Sequence, residues 1–308
     1  MNKSILEGIQ YVVRNSKNVR INEEKIVEMA NNYQDTKIHW MNYLPVDLTN
    51  LNKKERLNFL FIFNSISFCY WGDSKWSVGY DRGTWNMIAS IKRAIDEGKP
   101  ILNPDYLTNM KEEELEDILR GTNKIPLLKK RLSILNELGT NIIDKYEGNF
   151  EKLTYSEKQA PTLVERIVSD FQSFNDYSYY NNEKIVFNKR AQLLVSDIHA
   201  NGYGKLENID SLTACADYIL PMVLQHKGVL NYSKKLATKI KNKLLILANS
   251  TEEIEIRSNT IYAVELIKKE LLKKNKSVSS MQINDYLWIS GKDVPETQPY
   301  HRTITSAY

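Results

Sequence analysis

Cysteine is nearly absent from this chain: Cys69 and Cys215 are the only two, each in an apolar segment, and neither belongs to a CxxC pair. That scarcity excludes a disulfide framework and a zinc site built on cysteine, and it points to a reducing, cytoplasmic setting. Histidine is as thin. His39, His199, His226 and His301 show no HxxxH spacing, so neither a metal nor another cofactor is expected. Charge of one sign is lacking too. The 42 basic residues face 38 acidic ones, a net charge of +4. Such a balance argues against a polyanion-binding surface, so direct binding to a nucleic-acid polymer is not expected, whereas a small phosphorylated ligand needs only a few placed cations. Long apolar runs are missing as well. The best candidate, Leu57–Trp71, is broken by Asn64, Ser65 and Ser67 and reads as a buried helix rather than a membrane span. The opening MNKSILEGIQYVVRN has no long apolar core and no small-residue cleavage site, so it does not read as a signal peptide. A soluble, monomeric protein with no membrane partner is expected.

What the chain does have is helical periodicity. Leu6 to Val13 carries apolar residues at helical spacing, and Asn22 ahead of Glu23 and Glu24 predicts a capped helix over NEEKIVEMANNY. Trp85, Ile88, Ile91 and Ile95 step by three and four before Gly98 and Pro100 stop the pattern. Gly121 after Leu115, Ile118 and Leu119 is a candidate C-cap, and Pro126 is placed to start the LLKKRLSILNELGTNIIDKY helix. Leu163, Ile167 and Phe171 mark another helix, with Thr162 near its start. The tyrosine-rich FNDYSYYNNEKIVF alternates in part and fits a short hairpin or an ordered loop. The aromatic tail after Asn284 is expected to pack on the body. With no internal repeat and no low-complexity linker, residues 1–308 are expected to form a single, mainly α unit with at most a short β-hairpin.

Chemistry concentrates in the stretch from Lys189 to Leu230. Arg190, Leu193, Leu194 and Asp197 share one helix face. Arg190 and Asp197 lie roughly 10 Å apart by helix rise, too far for an ion pair but suited to the two ends of a small ligand. The competing reading of Asp197 is a structural ion-pair member. Asn201–Gly204 predicts a tight turn, after which Asp210 is expected to cap a second helix carrying Asp217 within the apolar run Leu212–Leu224. Pro221, four residues on, either kinks that helix or begins a new one. A carboxylate in so apolar a run needs a partner, because burying it unpaired costs several kcal/mol.

These segments resemble the queuosine salvage protein family, the queuosine 5′-phosphate N-glycosidases. The resemblance covers nearly the whole chain. It is carried by ISFCYW (66–71), GTWNMIASIKRAIDEGKPI (83–101), PLLKKRLSILNELG (126–139), FNKRAQLLVSDIH (187–199), LTACADYILPMVLQHKGVLNYS (212–233), EIEIRSNTIYAVELI (253–267), NDYLW (284–288) and YHR (300–302). It implies a fold similar to the helical, helix-hairpin-helix type DNA glycosylases, and release of the 7-deazaguanine base queuine from its nucleotide. It also implies catalytic roles for Asp217 and Asp197. Phe68, Tyr70 and Trp71 match the family's aromatic strip, and Lys189, Arg190 and Gln192 its KRAQ run. Asn208, Tyr218, His301 and Arg302 complete the implied substrate-binding set, with Lys189, Arg190, His301 and Arg302 as phosphate candidates. Departures from the family pattern are Ser67 for Asn, Asn208 for Asp, Ile219 for Arg, Met222 for Gln and His199 for Trp.

Hydrolysis of an N-glycoside passes through a cation-like sugar, which a carboxylate at the anomeric carbon stabilises while orienting or deprotonating water. A 7-deazapurine has no N7 to protonate, so the sugar-side carboxylate carries more of the work. Asp217 is the candidate for that role, with Asp197 assisting or accepting from the amine edge of the base. The aromatic strip offers stacking worth roughly 1–3 kcal/mol per base, although ordinary core is the commoner role of such residues. Three rivals stand beside this reading: a base-excision or RNA-binding protein, an N-glycosidase acting on another modified nucleoside or nucleotide, and a non-catalytic ligand-binding relative. A strongly basic face, altered substrate choice and binding without turnover would mark them in that order.

Overall fold

The computed structural model describes residues 5–34, 39–72 and 74–308. In chain order the helices are α1 (Ile5–Asn15), α2 (Glu23–Asn32), α3 (Lys53–Ile66), α4 (Gly83–Asp96), α5 (Pro104–Asn109), α6 (Glu112–Ile118), α7 (Leu128–Tyr146), α8 (Phe150–Thr154), α9 (Ala160–Asp170), α10 (Lys189–Ala200), α11 (Ile219–His226), α12 (Lys234–Lys241), α13 (Thr251–Lys273) and α14 (Ser280–Ser290). Four short strands accompany them: β1 (Val19–Ile21), β2 (Tyr177–Tyr180), β3 (Glu183–Val186) and β4 (Leu230–Tyr232). The mainly α expectation holds. Among the described residues no helix is long and apolar enough to cross a membrane.

Local signals placed many boundaries. The Asn22 carboxamide accepts from the amides of Glu24 and Lys25, satisfying two of the orphan donors that open α2. At the end of α4 the Gly98 amide bonds back to Ile95 and the Lys99 amide to Ala94, closing the helix with Gly98 left-handed as expected. The tyrosine-rich segment is a hairpin: Tyr177–Tyr180 pairs antiparallel with Glu183–Val186, and Asn181 and Asn182 turn the chain with φ of +48° and +67°. Two positive φ values in a two-residue loop match the right-handed twist of the strands, and asparagine tolerates them.

Three expectations need correction. Residues 212–217 are not helical. After a 3₁₀ turn at Ile209–Ser211 the chain runs without regular secondary structure, and α11 begins only at Ile219. Asp210 therefore caps no helix, and Asp217 stands just ahead of one. Pro221 falls in the first turn of α11, where its missing N–H leaves no helical bond unmade. Gly121 is likewise no cap, since α6 ends at Ile118. A Cβ there would lie 2.5 Å from the Ser77 carbonyl oxygen and 2.8 Å from Trp76 Nε1, so the close packing of that loop requires glycine. A second sheet also exists beside the hairpin, where Val19–Ile21 pairs antiparallel with Leu230–Tyr232. Pairing across so much sequence leaves no local signature.

By its contacts the chain divides into two compact units. One comprises Met1–Asn42, Asp176–Lys189 and Asp210–Thr305; the other comprises Tyr43–Asn175, Arg190–Ile209 and Ser306–Tyr308. In the first, α13 runs through the centre: Ile256, Val264 and Ile267 meet Leu220, Val223 and other residues of α11, while Ile254 and Ile261 meet Ile9 and Val12 of α1. In the second, every residue of α3 from Leu57 to Ile66 is buried, and Phe61 packs against Phe150 of α8 at 4.9 Å. The buried helix expected over Leu57–Trp71 is thus present only as far as Ile66, and the chain leaves it at Ser67.

The first unit is fastened by Glu255 of α13, which is wholly buried. Its carboxylate accepts from the amides of Lys17 (3.0 Å), Asn18 (2.6 Å) and Val19 (3.2 Å) and from the Tyr180 hydroxyl (2.9 Å). Burial and this carboxylate together push the Tyr180 hydroxyl upward, so it stays a donor. Glu255→Ala would orphan three amides at once, while the Tyr180 hydroxyl would keep the Asn15 carbonyl as its acceptor at 2.9 Å. A stability loss of roughly 3–5 kcal/mol is expected, read from the urea midpoint; a loss below about 1 kcal/mol would mean that β1 is held by something else.

Candidate active site

In the first unit the site grows from the two ends of the β2–β3 hairpin. The hairpin returns the chain to its start, so the Asp176 carbonyl accepts from the amides of Phe187 (2.9 Å) and Asn188 (3.1 Å). Asp176 Oδ2 accepts from the amide of Lys189, the first residue of α10, at 3.1 Å. The same carboxylate is gripped in a fork by Arg257 of α13, through Nη1 at 2.9 Å and Nη2 at 2.6 Å. Both residues are buried. The guanidinium also lies 3.9 Å from the centroid of the Phe187 ring and 3.7 Å from the Glu253 carboxylate. The position of Lys189 is thus fixed by its backbone, leaving the side chain free for another task.

The irregular segment 212–217 meets this point at Cys215. The Cys215 amide donates to Asn284 Oδ1 of α14 at 2.9 Å, and its thiol approaches the Lys189 carbonyl at 3.5 Å. Two residues on, Asp217 Oδ1 accepts from the amides of Ile219 (2.8 Å) and Leu220 (3.1 Å), so the side chain caps α11. Oδ2 takes part in neither bond. Burial pushes the Asp217 carboxyl above the usual aspartate range; the positive charge of Lys189 and the helix-opening amides pull the other way. Lys189 itself is only 7% exposed, yet its ammonium makes no hydrogen bond or close ion pair with any described residue. A buried ammonium left this way, beside a desolvated carboxylate, is arranged for something the protein does not supply.

Tyr218 follows Asp217, its hydroxyl donating to the Thr303 carbonyl at 2.6 Å and its ring lying 5.6 Å from Tyr300 and 5.3 Å from His301. The aromatic tail does pack, as its composition suggested. His301 is 2% exposed, and burial, reinforced by nearby Arg257, lowers its pKa to about 3. It is a neutral imidazole at ordinary pH, so it cannot serve as the cation expected of a phosphate ligand. Arg302 is half-buried, and its backbone bridges to Leu245, with the Ile246 amide donating to the Arg302 carbonyl at 2.8 Å.

The remaining candidates lie in the second unit. Asp197 is wholly buried on α10, and its Oδ2 accepts from Asn64 Nδ2 of α3 at 2.9 Å. Arg190 is buried too, but its guanidinium donates to the carbonyls of Ser65 and Ser173. It therefore acts on the main chain, and the Asn64 amide is one partner of Asp197. Gln192 is 1% exposed on the same helix. Phe68 is core, with Arg131 at 4.1 Å and Arg190 at 5.3 Å from its ring centroid. Tyr70 donates to Ser67 Oγ at 2.8 Å; burial pushes its hydroxyl up to about 12, against the pull of Arg131. A Cβ on Gly83 would strike the Tyr70 side chain, its own Cβ at 2.2 Å and its ring at 2.4 Å. Trp71 is half-buried, and Asn208 is exposed, left-handed at φ +55° and bonded to Gln159.

Sequence reasoning passed over three supports of these candidates. Arg131, fully buried on α7, donates to the carbonyls of Ile66, Phe68 and Cys69 and so shapes the turn that presents the aromatic strip. Asn64 was noted only as a break in an apolar run. The Asp176–Arg257 pair joins two residues 81 positions apart. A charged or amide side chain inside an otherwise apolar helix was the one signal available for Arg257 and Asn64.

Comparison with known proteins agrees with the resemblance. Residues 48–308 match the family described as "Queuosine salvage protein". A Sphaerobacter thermophilus protein named queuosine 5′-phosphate N-glycosylase/hydrolase is 30% identical, the match covering 99% of this chain and 97% of the relative. Proteins of the same name from Mus musculus and Bos taurus are 32% and 33% identical, covering 96% and 80% of both partners respectively. With a family match over most of its length and full-length relatives at this level, the chain belongs to the queuosine salvage protein family.

Proposed function

We propose that this chain hydrolyses the N-glycosidic bond of queuosine 5′-phosphate, releasing queuine and ribose 5-phosphate. The observation that carries the reading is Asp217, a desolvated carboxylate tied down through one oxygen, lying within electrostatic reach of the largely buried Lys189. The full-length relatives that bear the name of this activity support the choice of substrate.

The chemistry follows from those two groups. As the bond from C1′ to the base nitrogen lengthens, positive charge collects on the sugar, and Asp217 Oδ2 stabilises it. The helix-opening amides hold Oδ1, so the carboxylate need not reorganise as that charge appears. Water then adds to C1′. Its oxygen stays on the sugar, one proton passes by way of Asp217, and the base leaves protonated at the nitrogen that had borne the sugar. A raised pKa suits a carboxylate that must accept a proton near neutral pH. Lys189 opposes the cost of burying the Asp217 charge and offers a cation to the anionic substrate. Neutral His301 and Tyr218 are suited to hydrogen bonding rather than to charge.

Asp217→Asn tests the assignment cleanly, because the amide oxygen can still accept from Ile219 and Leu220 and preserve the cap. Base release, followed by chromatography and mass, should fall by at least about 10²-fold with the unfolding midpoint nearly unchanged. Near-normal turnover would remove Asp217 from the mechanism. Substrate choice is read by offering queuosine, its 5′-phosphate and ordinary purine nucleotides side by side; the phosphorylated deazaguanine nucleotide should be cleaved fastest.

The pH profile gives an independent reading. The reactive form is the carboxylate, so rate climbs as pH passes through the pKa of Asp217, and the acid limb should lie above the ordinary aspartate range. Lys189→Met deletes the charge that lowers this pKa. The limb should then move to still higher pH, as measured by kcat/KM against pH. A limb that stayed in place, or moved down, would show that the two groups are not coupled.

A further inference from the structure

The near-neutral balance of the whole chain conceals one segment where charge is segregated. From Lys234 to Leu247 the sequence KKLATKIKNKLLIL holds five lysines and no acidic residue. Lys239 is paired with Glu252 at 2.7 Å. Lys234, Lys235, Lys241 and Lys243 are exposed, and none of the four forms an ion pair with a described residue. Directly after them stand the most exposed aliphatic side chains of the first unit apart from Leu272: Leu244 at 53%, Leu245 at 55% and Leu247 at 75%.

This display is held in place. Leu236 and Ile240 of α12 are buried in the core of the unit, and Ile246, between the exposed leucines, is 2% exposed with its amide bonded to Arg302. Lys243 turns the chain with a φ of +56°, and the Leu244 amide bonds back to the Lys239 carbonyl. The lysines and leucines are therefore presented by an anchored helix and loop, and not by a loose arm.

We propose that α12 and the following loop form a peripheral contact for an anionic lipid surface, the lysines meeting the headgroups and the leucines entering the boundary with the acyl chains. The combination selects this occupant. Four unpaired ammonium groups need negative charge opposite them, which a second copy of the same face cannot give, because two-fold pairing would set lysine against lysine. Nucleic acid would answer the charge but not the leucines, since base stacking calls on aromatic rings and arginine, and residues 234–247 contain neither. A bilayer accepts exposed leucines without a shaped pocket and rewards clustered lysine beside them. The contact is independent of the proposed activity.

The test is flotation of the full chain with vesicles of phosphatidylglycerol and phosphatidylcholine in equal amounts, compared with phosphatidylcholine alone. Binding to the anionic vesicles only is expected, weakening as salt rises from about 0.1 to 0.5 M. Lys235→Glu with Lys241→Glu and Lys243→Glu should reduce it more than about tenfold. Leu244→Ser with Leu247→Ser should weaken it at low salt, while circular dichroism and base release stay unchanged in both variants. No binding to anionic vesicles, or equal binding to neutral ones, would overturn the proposal. So would a lysine-dependent affinity for RNA or for an acidic protein that ignores the leucine changes, or self-association that accounts for the exposed face.

Discussion

The buried fork between Asp176 and Arg257 is the constraint on which the candidate site depends. It closes the base of a hairpin, fixes the first turn of α10 through the Lys189 amide, and places a permanent positive charge near His301. An ion pair in such a place contributes little net stability, because both charges forfeit water; breaking it from one side, however, leaves a lone buried charge and is strongly destabilising. Its value here is geometric. By committing backbone rather than side-chain atoms of Lys189 to the scaffold, it frees an ammonium in a setting where free ammonium groups are rare.

Electrostatics then sorts the neighbouring groups. Burial acts on all of them, yet in opposite senses: it raises the Asp217 carboxyl and lowers the His301 imidazole, in each case favouring the uncharged form. Lys189 and the opening amides of α11 offset that push for Asp217, whereas Arg257 adds to it for His301. Nearby positive charge opposes the effect of burial on one residue and reinforces it on the other. Two cations on one scaffold thus divide the labour between a charge-bearing group and a hydrogen-bonding one.

Much of this was legible in sequence, and what was not has definite causes. Asn22, Gly98 and the Asn181–Asn182 turn act within a few residues of themselves, so their chemistry could be read directly. The helical α10 and its aspartate were visible from periodicity for the same reason. Asp217 was recognised as unusual, but its setting was misread, because an apolar run looks alike whether it is a buried helix or a buried non-helical segment. Contacts from α14 and from Lys189 help to hold residues 212–217 out of a helix, and those are distant in sequence. Arg190 shows the converse: its spacing to Asp197 was right, but nothing local reveals that its donors turn to the carbonyls of Ser65 and Ser173. His301 was taken for a cation because burial is not written in residue type. The family resemblance supplied what periodicity lacked, namely which polar residues deserved a role.

The pairing of β1 with β4 has a consequence for how the chain comes together. Strand residues 19–21 emerge early in synthesis but find partners only at 230–232, and the carboxylate that holds them arrives at residue 255. The stretch 43–175, by contrast, holds most of its own unit in uninterrupted order. During translation that stretch can condense while α1 and β1 wait with their apolar faces uncovered. Such long-range closure is slow and leaves the waiting segment open to chaperones or to wrong partners. Helix α1, made long before α13, is thereby among the last elements to be secured.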